Sequence, residues 1–460
     1  MDRFLQFLTD YTMSLTYEKL PQSTVHQVKR HLIDVLGCGI GGYEMGPPQS
    51  ARAHALEVTS RPGSTVLGTR HRSAPELAAF ANGVMGRYLD FNDTSIAPKT
   101  GHTSDNIAGV LAAAEYSGAD MRTTIAAIVI AYEVMDGLGA SGLGNGLWDN
   151  GWDHVTGVAI SSAAGASKAL GLNREHTTNA LSLAATSSIA TNQTRVGALS
   201  MWKGCAAGNA ARNGIFAALI AGRGLTGPAE AFEGPRGFIN QIGADLKLPT
   251  LGGDGTPFAV ESDKFKAYPC DYEAQCSITP AVQIHRMMQG RVEDIEKVDV
   301  ETYIHALEVA ADTPDKWNPT SRETADHSIP YAVAVGLTRG TLWFDDFTPE
   351  RITDPKIHAL MQKIKVRPND ECTRIWPEAY PFRITATMKS GQKHFSEVKY
   401  AKGHPKNPMS DPELEAKFRK LCEPLMEPDQ VTRALKRLWQ LEKLKGARQV
   451  LDLFALESAR

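Results

Sequence analysis

The chain has few cysteines and few aromatic side chains. Its six cysteines, at positions 38, 205, 270, 276, 372 and 422, include no C-x-x-C pair. That spacing argues against zinc and iron–sulfur motifs, and we expect reduced thiols in a cytoplasmic protein. Aromatic residues make up only 7% of the 460 residues, whereas alanine and glycine are plentiful. This composition favours closely packed helices over a β-sandwich or a barrel.

The chain also lacks a basic excess and a long apolar run. Lysine and arginine number 49 against 52 acidic residues, for a net charge of −3, so we expect neither nucleic acid nor a membrane surface as partner. Asp2 and Asp10 lie near Arg3, which is not the pattern of a signal peptide. The best apolar run, residues 125–135, is interrupted by Glu133 and too short to span a bilayer, so we expect no transmembrane helix.

Two familiar loop motifs are missing as well. The glycine-rich residues 37–42 follow a helical pattern, which we expect to end at Gly37, and not a strand. Residues 142–146 lack the Lys-Ser/Thr of a phosphate-binding loop, and no G-x-S-x-G elbow occurs. The sequence therefore argues against a dinucleotide-binding fold and against a serine hydrolase of the elbow type.

The patterns that are present divide the chain into three segments. Residues 1–265 carry apolar residues at helical spacing in one segment after another, and helical patterns resume over residues 403–460. Between them, residues 266–402 contain predicted strands at 295–305 and 382–389. We therefore predict a mainly α protein. A large all-α domain is formed by the two outer segments, and a smaller α+β lid domain is inserted between them.

Chemistry-bearing residues are densest in residues 89–106, LDFNDTSIAPKTGHTSDN. This loop contains two carboxylates, a hydroxyl and an imidazole: Asp90, Asp93, Thr94 and His102. A helical pattern follows that Ser104 or Asp105 could cap. A histidine ahead of a helix N-terminus faces unpaired N–H groups, a place that suits an anionic ligand. We infer acid–base chemistry on a carboxylate substrate, the alternative being a plain capping and turn network.

Three further positions are candidates. His154 precedes an alanine-rich helix, where Asp153 could be a simple cap. Lys203 lies in the first turn of a helix, against the helix dipole, so it either pairs with a substrate carboxylate or faces solvent. Tyr272 and Glu273 lie in the segment between the predicted domains, near any interdomain cleft, although a polar linker has the same composition.

These motifs resemble those of the MmgE/PrpD family. Residues 89–106 resemble its LDFNDT…GHPSDN signature, and three more stretches agree in order: residues 202–228, 266–275 and 323–340. Family members include 2-methylcitrate dehydratase, cis-aconitate decarboxylase and iminodisuccinate epimerase. The resemblance covers nearly the whole chain. It implies a large all-α domain with a smaller α+β lid, a homodimer, and catalysis without a metal or an organic cofactor.

The resemblance also implies an active site. Matched position by position, the family's active-site residues fall on Asp90, Thr94, His102, His154 and Lys203. The spacing from Thr94 to His102 is that of the dehydratase members and not the shorter spacing of the decarboxylases. Three residues depart from the family pattern: Ser95 replaces an aromatic residue, Thr103 replaces proline, and Glu273 stands where a histidine is common.

We therefore expect a cofactor-independent lyase acting on a small di- or tricarboxylate, most like 2-methylcitrate dehydratase. In this hypothesis His102 or His154 is the general base, Asp90 orients a histidine and Lys203 holds a carboxylate. Glu273 or Tyr272 protonates the leaving hydroxyl, and Asp93, Thr94 and Tyr272 help to bind the substrate. A decarboxylase-like or epimerase-like enzyme remains open, as does a non-catalytic helical binding or scaffold protein.

Overall fold

The computed structural model describes residues 2–456, and its first part is built of helices. They are α1 (Arg3–Ser14), α2 (Gln22–Gly41), α3 (Gly46–Leu56), α4 (Pro75–Tyr88), α5 (Ile107–Ser117), α6 (Met121–Ala140), α7 (Leu143–Asp149), α8 (Val155–Ala169), α9 (Arg174–Ser187), α10 (Trp202–Ala221) and α11 (Phe238–Ile242). Between α3 and α4, a short antiparallel hairpin joins β1 (Ser64–Thr65) and β2 (Arg72–Ser73).

The second part mixes helices with a four-stranded sheet. In chain order it contains α12 (Tyr272–Met287), β3 (Ile295–Thr302), α13 (Ile304–Ala310), α14 (Pro314–Trp317), α15 (Arg322–Ala325), α16 (Ile329–Arg339), α17 (Pro349–Ile352), α18 (Pro355–Met361), β4 (Ile364–Pro368), α19 (Asp370–Ile375), β5 (Phe382–Met388) and β6 (Lys393–Val398). The strand order is β4-β3-β5-β6, in which only the β3–β4 pair is parallel. Helix α12 packs on α16 and against β5 and β6.

The chain then returns to the helical part through α20 (Asp411–Cys422), α21 (Pro428–Leu438) and α22 (Ala447–Leu451). One hydrophobic core draws on residues 4–265 and again on residues 409–456, while a second core is built from residues 270–401. The predicted fold class, mainly α with a smaller α+β part, is confirmed.

Small residues let the central helices approach closely. Helix α10 packs on both α4 and α8. A Cβ atom on Gly208 would lie 2.8 Å from the backbone nitrogen of Val84, and one on Gly214 would lie 2.6 Å from the carbonyl oxygen of Ala159. These contacts are closer than side-chain carbon atoms tolerate, so the backbones touch where glycine is present. The alanine and glycine content thus serves helix packing, as the composition indicated.

Helix α6 is long and apolar enough to cross a membrane by length and composition, but 89% of its most apolar window is buried inside the protein. It packs against α8 and holds two ionisable groups, Glu133 and Asp136, in the interior. Its position is that of a core helix.

Two local expectations were wrong. Helix α2 does not end at Gly37 but runs on to Gly41, because α20 returns to cover that face: a Cβ at Gly37 would lie 3.0 Å from the ring of Phe418. The strand predicted at 295–305 ends at Thr302, and His305 lies in α13. In both cases distant segments, absent from a local pattern, set the boundary.

We expect Gly214→Ala to lower the free energy of unfolding by ~1–3 kcal/mol, because the new methyl group would meet the backbone of α8. Gly46→Ala is the matched control, since a Cβ at that helical position has no atom within 4 Å. Thermal or urea unfolding of both variants measures the difference. Equal stability of the two variants would contradict the close packing of α10 on α8.

Candidate active site

A cavity of about 230 Å³ lies where the two cores meet. The helical part contributes side chains from α4, the loop after it, the start of α8 and the segment before α10. The second part contributes the start of α12, α13 and the segment before β5. Its ionisable and hydroxyl-bearing walls include Arg87, Thr94, His102, His154, Arg195, Lys264, Asp271, Tyr272, Glu273, His305, His327 and Tyr380.

Behind one wall of the cavity, the Asp90 carboxylate gathers three cations. Oδ1 lies 3.0 Å from Arg87 Nη1 and accepts a hydrogen bond from Lys266 Nζ at 2.5 Å, and Oδ2 accepts one from Lys203 Nζ at 2.8 Å. Asp90 is fully buried, and its backbone φ of +50° places it in the left-handed region. Burial opposes its ionisation, but the three cations outweigh burial and hold the pKa of Asp90 well below its usual range.

Lys203 connects this carboxylate to a histidine. Its Nζ also donates to Asp326 Oδ1 at 3.0 Å, and Asp326 Oδ1 accepts from Nδ1 of His327 at 2.7 Å. His327 lines the cavity, and its Nε2 lies 3.8 Å from both Asp90 Oδ2 and Asp271 Oδ2. Burial and the charge of Lys203 lower the pKa of His327, so its neutral ring keeps a basic Nε2 beside the cavity.

His102 is fixed by the loop that carries it. Its Nδ1 donates to the carbonyl oxygen of Asp93, which leaves Nε2 as the basic nitrogen, 3.6 Å from Asp90 Oδ1. Burial, with the charges of Arg87 and Lys266, holds the pKa of His102 well below its ordinary value. The ring is therefore neutral at physiological pH, and Asp90 is placed to stabilise the imidazolium that forms when His102 accepts a proton.

His154, which directly precedes α8, is also held at Nδ1 by the protein. Its Nδ1 lies 3.2 Å from Asp153 Oδ1, its Nε2 has no hydrogen-bond partner among residues 2–456, and burial lowers its pKa to about 3. The rings of His102 and His154 are 6.2 Å apart between centroids. Gly101 makes room for this pair, because a Cβ there would lie 2.1 Å from the His154 ring and the residue has a φ of +88°.

The second part of the chain presents Tyr272 and Glu273 from the first turn of α12. Burial raises the pKa of Tyr272 well above its ordinary value, and its hydroxyl, although buried, has no hydrogen-bond partner in the part of the chain that the structure describes. Burial and the neighbouring Asp271 carboxylate raise the pKa of Glu273 well above its ordinary value. Glu273 is therefore set up to hold a proton that an ordinary surface glutamate would lose.

Of the residues that the sequence predicts to act in catalysis or substrate binding, five line the cavity and three lie behind its wall. Those lining it are Thr94, His102, His154, Tyr272 and Glu273. The three behind it are fully or almost fully buried: Asp90, Asp93 and Lys203. The sequence therefore identified one connected region, but it did not separate the groups that face the cavity from those that support them.

Three sequence interpretations need correction. Lys203 does not face solvent, since it is 1% exposed between two aspartates. Neither Ser104 nor Asp105 caps a helix, because both lie in a 3₁₀ turn over Thr103–Asn106 that precedes α5. The backbone N–H groups that we expected to face a ligand bind to groups inside the protein instead. Asp93 Oδ1 accepts a hydrogen bond from the Ser104 N–H at 3.0 Å.

Asp93 supports the loop and does not reach the cavity. Its Oδ2 accepts a hydrogen bond from the Tyr132 hydroxyl at 2.7 Å and lies 2.6 Å from His31 Nδ1. With both oxygens engaged, Asp93 anchors the loop between Thr94 and His102 to α2 and α6. A direct contact with substrate, as the sequence suggested for Asp93, is not what this geometry provides.

Sequence reasoning missed several residues of the site: Arg87, Lys264, Lys266, Asp326 and His327. Lys266, Asp326 and His327 lie inside stretches that carried the family resemblance, so their place in those motifs was an available signal. Arg87 lies one turn before the LDFNDT motif on α4, at the i−3 position from Asp90. No local signal marks Lys264.

Asp90, Asp326 and His327 bring their ligand-type atoms within 4.8 Å of one another, a spacing that could hold a metal ion. A cation already lies among them, because Lys203 Nζ is 2.8 Å from Asp90 Oδ2 and 3.0 Å from Asp326 Oδ1. The donor set is therefore explained by an internal ammonium group.

Comparison with known proteins agrees with this layout. The family model of the MmgE/PrpD N-terminal domain matches residues 6–249, and that of the C-terminal domain matches residues 268–441. The 2-methylcitrate dehydratase of Escherichia coli is 30% identical over 91% of this chain and 89% of its own length. That of Cupriavidus necator is 29% identical over 98% and 97%, and the mitochondrial enzyme of Yarrowia lipolytica is 30% identical over 79% and 72%.

We expect Asp90→Asn to lower the free energy of unfolding by ~3–5 kcal/mol, because it removes the anion shared by three buried cations. Asp254→Asn is the matched control: Asp254 has a φ of +49° but is exposed, so its variant should stay within ~0.5 kcal/mol of the wild type. Thermal unfolding compares the two. A small effect at position 90 would mean that the cations do not depend on this carboxylate.

Proposed function

Because this chain belongs to the MmgE/PrpD family, we propose that it dehydrates a small hydroxylated di- or tricarboxylate, with 2-methylcitrate as the first substrate to test. It is an enzyme of the lyase class. The observation that supports the proposal is that one cavity holds the neutral imidazoles of His102 and His154, each with Nδ1 bound by the protein, together with a carboxyl group that retains its proton.

In the proposed reaction a proton leaves the carbon next to a carboxylate, and the hydroxyl on the neighbouring carbon departs as water. The base is Nε2 of His102 or of His154, the free basic nitrogen of each ring. Asp90 and Asp153 stabilise the respective imidazolium ions as they form. General bases of this kind contribute roughly 10²–10⁴-fold to a rate.

The general acid of the proposed reaction comes from the second core, residues 270–401. Glu273, protonated because it is partly buried beside Asp271, donates its proton to the departing hydroxyl. Tyr272, the neighbouring residue, holds its own proton still more firmly and donates a hydrogen bond in the same cavity. A base from the helical part and an acid from α12 let both halves of the elimination occur in one enclosed space.

Negative charge develops on the substrate carboxylate as the proton leaves. Arg87 lines the cavity, and its buried Nε, 3.9 Å from Asp105 Oδ1, makes no hydrogen bond within the described residues. Each well-placed donor of this kind is typically worth about 3 kcal/mol in the transition state. We propose that these fixed charges replace a metal or organic cofactor, and that Lys203, already paired with Asp90 and Asp326, positions Asp90 and does not touch the substrate.

One observation favours a second candidate, an epimerase. The two neutral bases His102 and His154 face one cavity with ring centroids 6.2 Å apart, so one could remove a proton and the other return it. The presence of a proton-holding Glu273 distinguishes the proposals, because epimerisation needs no acid for a leaving hydroxyl.

The reaction can be assigned by NMR in deuterated water with three acids. We expect 2-methylcitrate to give an alkene product, whereas carbon dioxide from cis-aconitate or solvent deuterium in iminodisuccinate without an alkene would contradict dehydration. Activity should survive removal of metals by a chelator. His102→Gln and His154→Gln should lower turnover, by roughly 10²–10⁴-fold for the acting base. His54→Gln, at an exposed site on α3, is the control.

Glu273→Gln should lower kcat by roughly 10²–10⁴-fold with KM changed only a few-fold, since glutamine cannot supply the proton. In the wild type, kcat should fall as pH rises through the raised pKa of Glu273, because the acid is then ionised. Glu273→His should retain part of the activity with the alkaline limb displaced. Glu296→Gln, exposed on β3, is the matched control. An unchanged alkaline limb in Glu273→His would exclude Glu273 as the acid.

A further inference from the structure

Five lysines in the described residues 2–456 are buried, and four of them pair with an aspartate. Lys203, Lys266, Lys316 and Lys417 place Nζ at 2.5–2.8 Å from a carboxylate oxygen. Lys264, 3% exposed, has no carboxylate oxygen within 4.0 Å among those residues. A buried ammonium that makes no direct ion pair is costly, and the nearby carboxyl groups of Glu273, Asp263 and Asp136 offset its burial only in part, so its position calls for an explanation.

Lys264 is held by aromatic groups at the cavity. Its Nζ donates to the Tyr380 hydroxyl at 2.8 Å and lies 4.4 Å from the Tyr380 ring centroid and 4.6 Å from that of Tyr272. All three residues line the cavity. Tyrosine rings stabilise a cation while leaving donors free for an anion. The Tyr272 hydroxyl beside it is buried and accepts or donates no hydrogen bond among the described residues.

The backbone fixes Lys264 to the loop that carries His102. The Thr94 N–H donates to the Lys264 carbonyl at 2.8 Å, and the Lys264 N–H donates to the Thr94 carbonyl at 2.9 Å. Lys264 therefore has a defined place relative to the proposed bases, on the side of the cavity formed with α12.

We propose that Lys264, with the hydroxyl of Tyr272, binds a carboxylate of the substrate, separately from the carboxylate at Arg87. The inference rests on the proposed function and adds to it which groups bind a second carboxylate: the Lys264 ammonium and the Tyr272 hydroxyl, on the α12 side of the cavity. Lys264 acts in this proposal as a substrate-binding and specificity-determining residue and not as the base.

The test uses tricarballylate, an unreactive tricarboxylate, in calorimetry and in thermal-shift measurements, with 2-methylcitrate for kinetics. Lys264→Met should weaken tricarballylate binding and raise KM by roughly 10- to 100-fold, the worth of a charged hydrogen bond. The change in kcat should be much smaller. Lys264→Arg should restore affinity to within a few-fold, because it keeps the charge.

Lys406→Met is the matched control. Lys406 also donates to a tyrosine hydroxyl, that of Tyr400 at 3.2 Å, and lies 5.0 Å from its ring centroid, but it is exposed and outside the cavity. Without ligand, Lys264→Met should unfold at no lower temperature than the wild type, since it removes a buried charge that makes no direct ion pair within the described residues. Lost binding would then not reflect a lost fold.

A pH series provides a second readout, because burial lowers the pKa of Lys264 to about 8. Wild-type affinity for tricarballylate should fall as pH rises through that value, while Lys264→Arg should hold its affinity to higher pH. The titratable groups facing Lys264 are shared by both proteins, so they cancel in the comparison: Tyr272, Glu273, Cys276, Asp263, Asp136, Tyr380 and His404.

The outcomes separate this inference from the proposed function. If Lys264→Met dehydrates 2-methylcitrate at the wild-type rate, with unchanged KM and unchanged affinity for tricarballylate, the inference is overturned and the proposed function stands. A fall in kcat without a change in KM, not restored by arginine, would mark Lys264 as a base and also overturn it. If the wild type neither binds tricarballylate nor turns over 2-methylcitrate, the proposed function fails first.

Discussion

The Asp90 carboxylate is the interaction on which the site depends. It is fully buried, yet it remains ionised because Arg87 from α4, Lys203 from α10 and Lys266 from the segment before α12 surround it. These cations come from parts of the chain that only the fold brings together. Removing such an anion leaves several positive charges in a low-dielectric interior, which is far more costly than breaking a surface pair.

The same pattern recurs at three of the histidines that line the cavity. His102 is held by the Asp93 carbonyl, His154 by Asp153 and His327 by Asp326, and burial lowers the pKa of all three rings. An acceptor at Nδ1 leaves Nε2 as a lone-pair donor in every case. The second core contributes the opposite chemistry, because Glu273 keeps its proton, while Lys264, on the helical side, makes no direct ion pair within residues 2–456.

Close helix packing makes this arrangement possible. Gly214 lets α10 touch α8, and Gly101 lets His154 lie against the loop of His102, so a side chain at either position would displace a wall of the site. The alanine and glycine content predicted such packing, and the helical patterns predicted the mainly α fold class. The extent of α2 could not be predicted, because α20, almost 400 residues later, covers its last turn.

Sequence alone determined the fold class and the motif stretches, because helical and strand periodicity and residue order are local properties. It also identified His102, His154 and Glu273 as candidates. Tertiary structure decided which groups face the cavity and which support it. Lys203 and Asp93 lie behind the wall, and Arg87, Lys264 and His327 line the cavity. The protonation state of each ionisable group in the site depends on its burial and on charges from distant segments. Neither can be predicted from the residues next to it in the sequence.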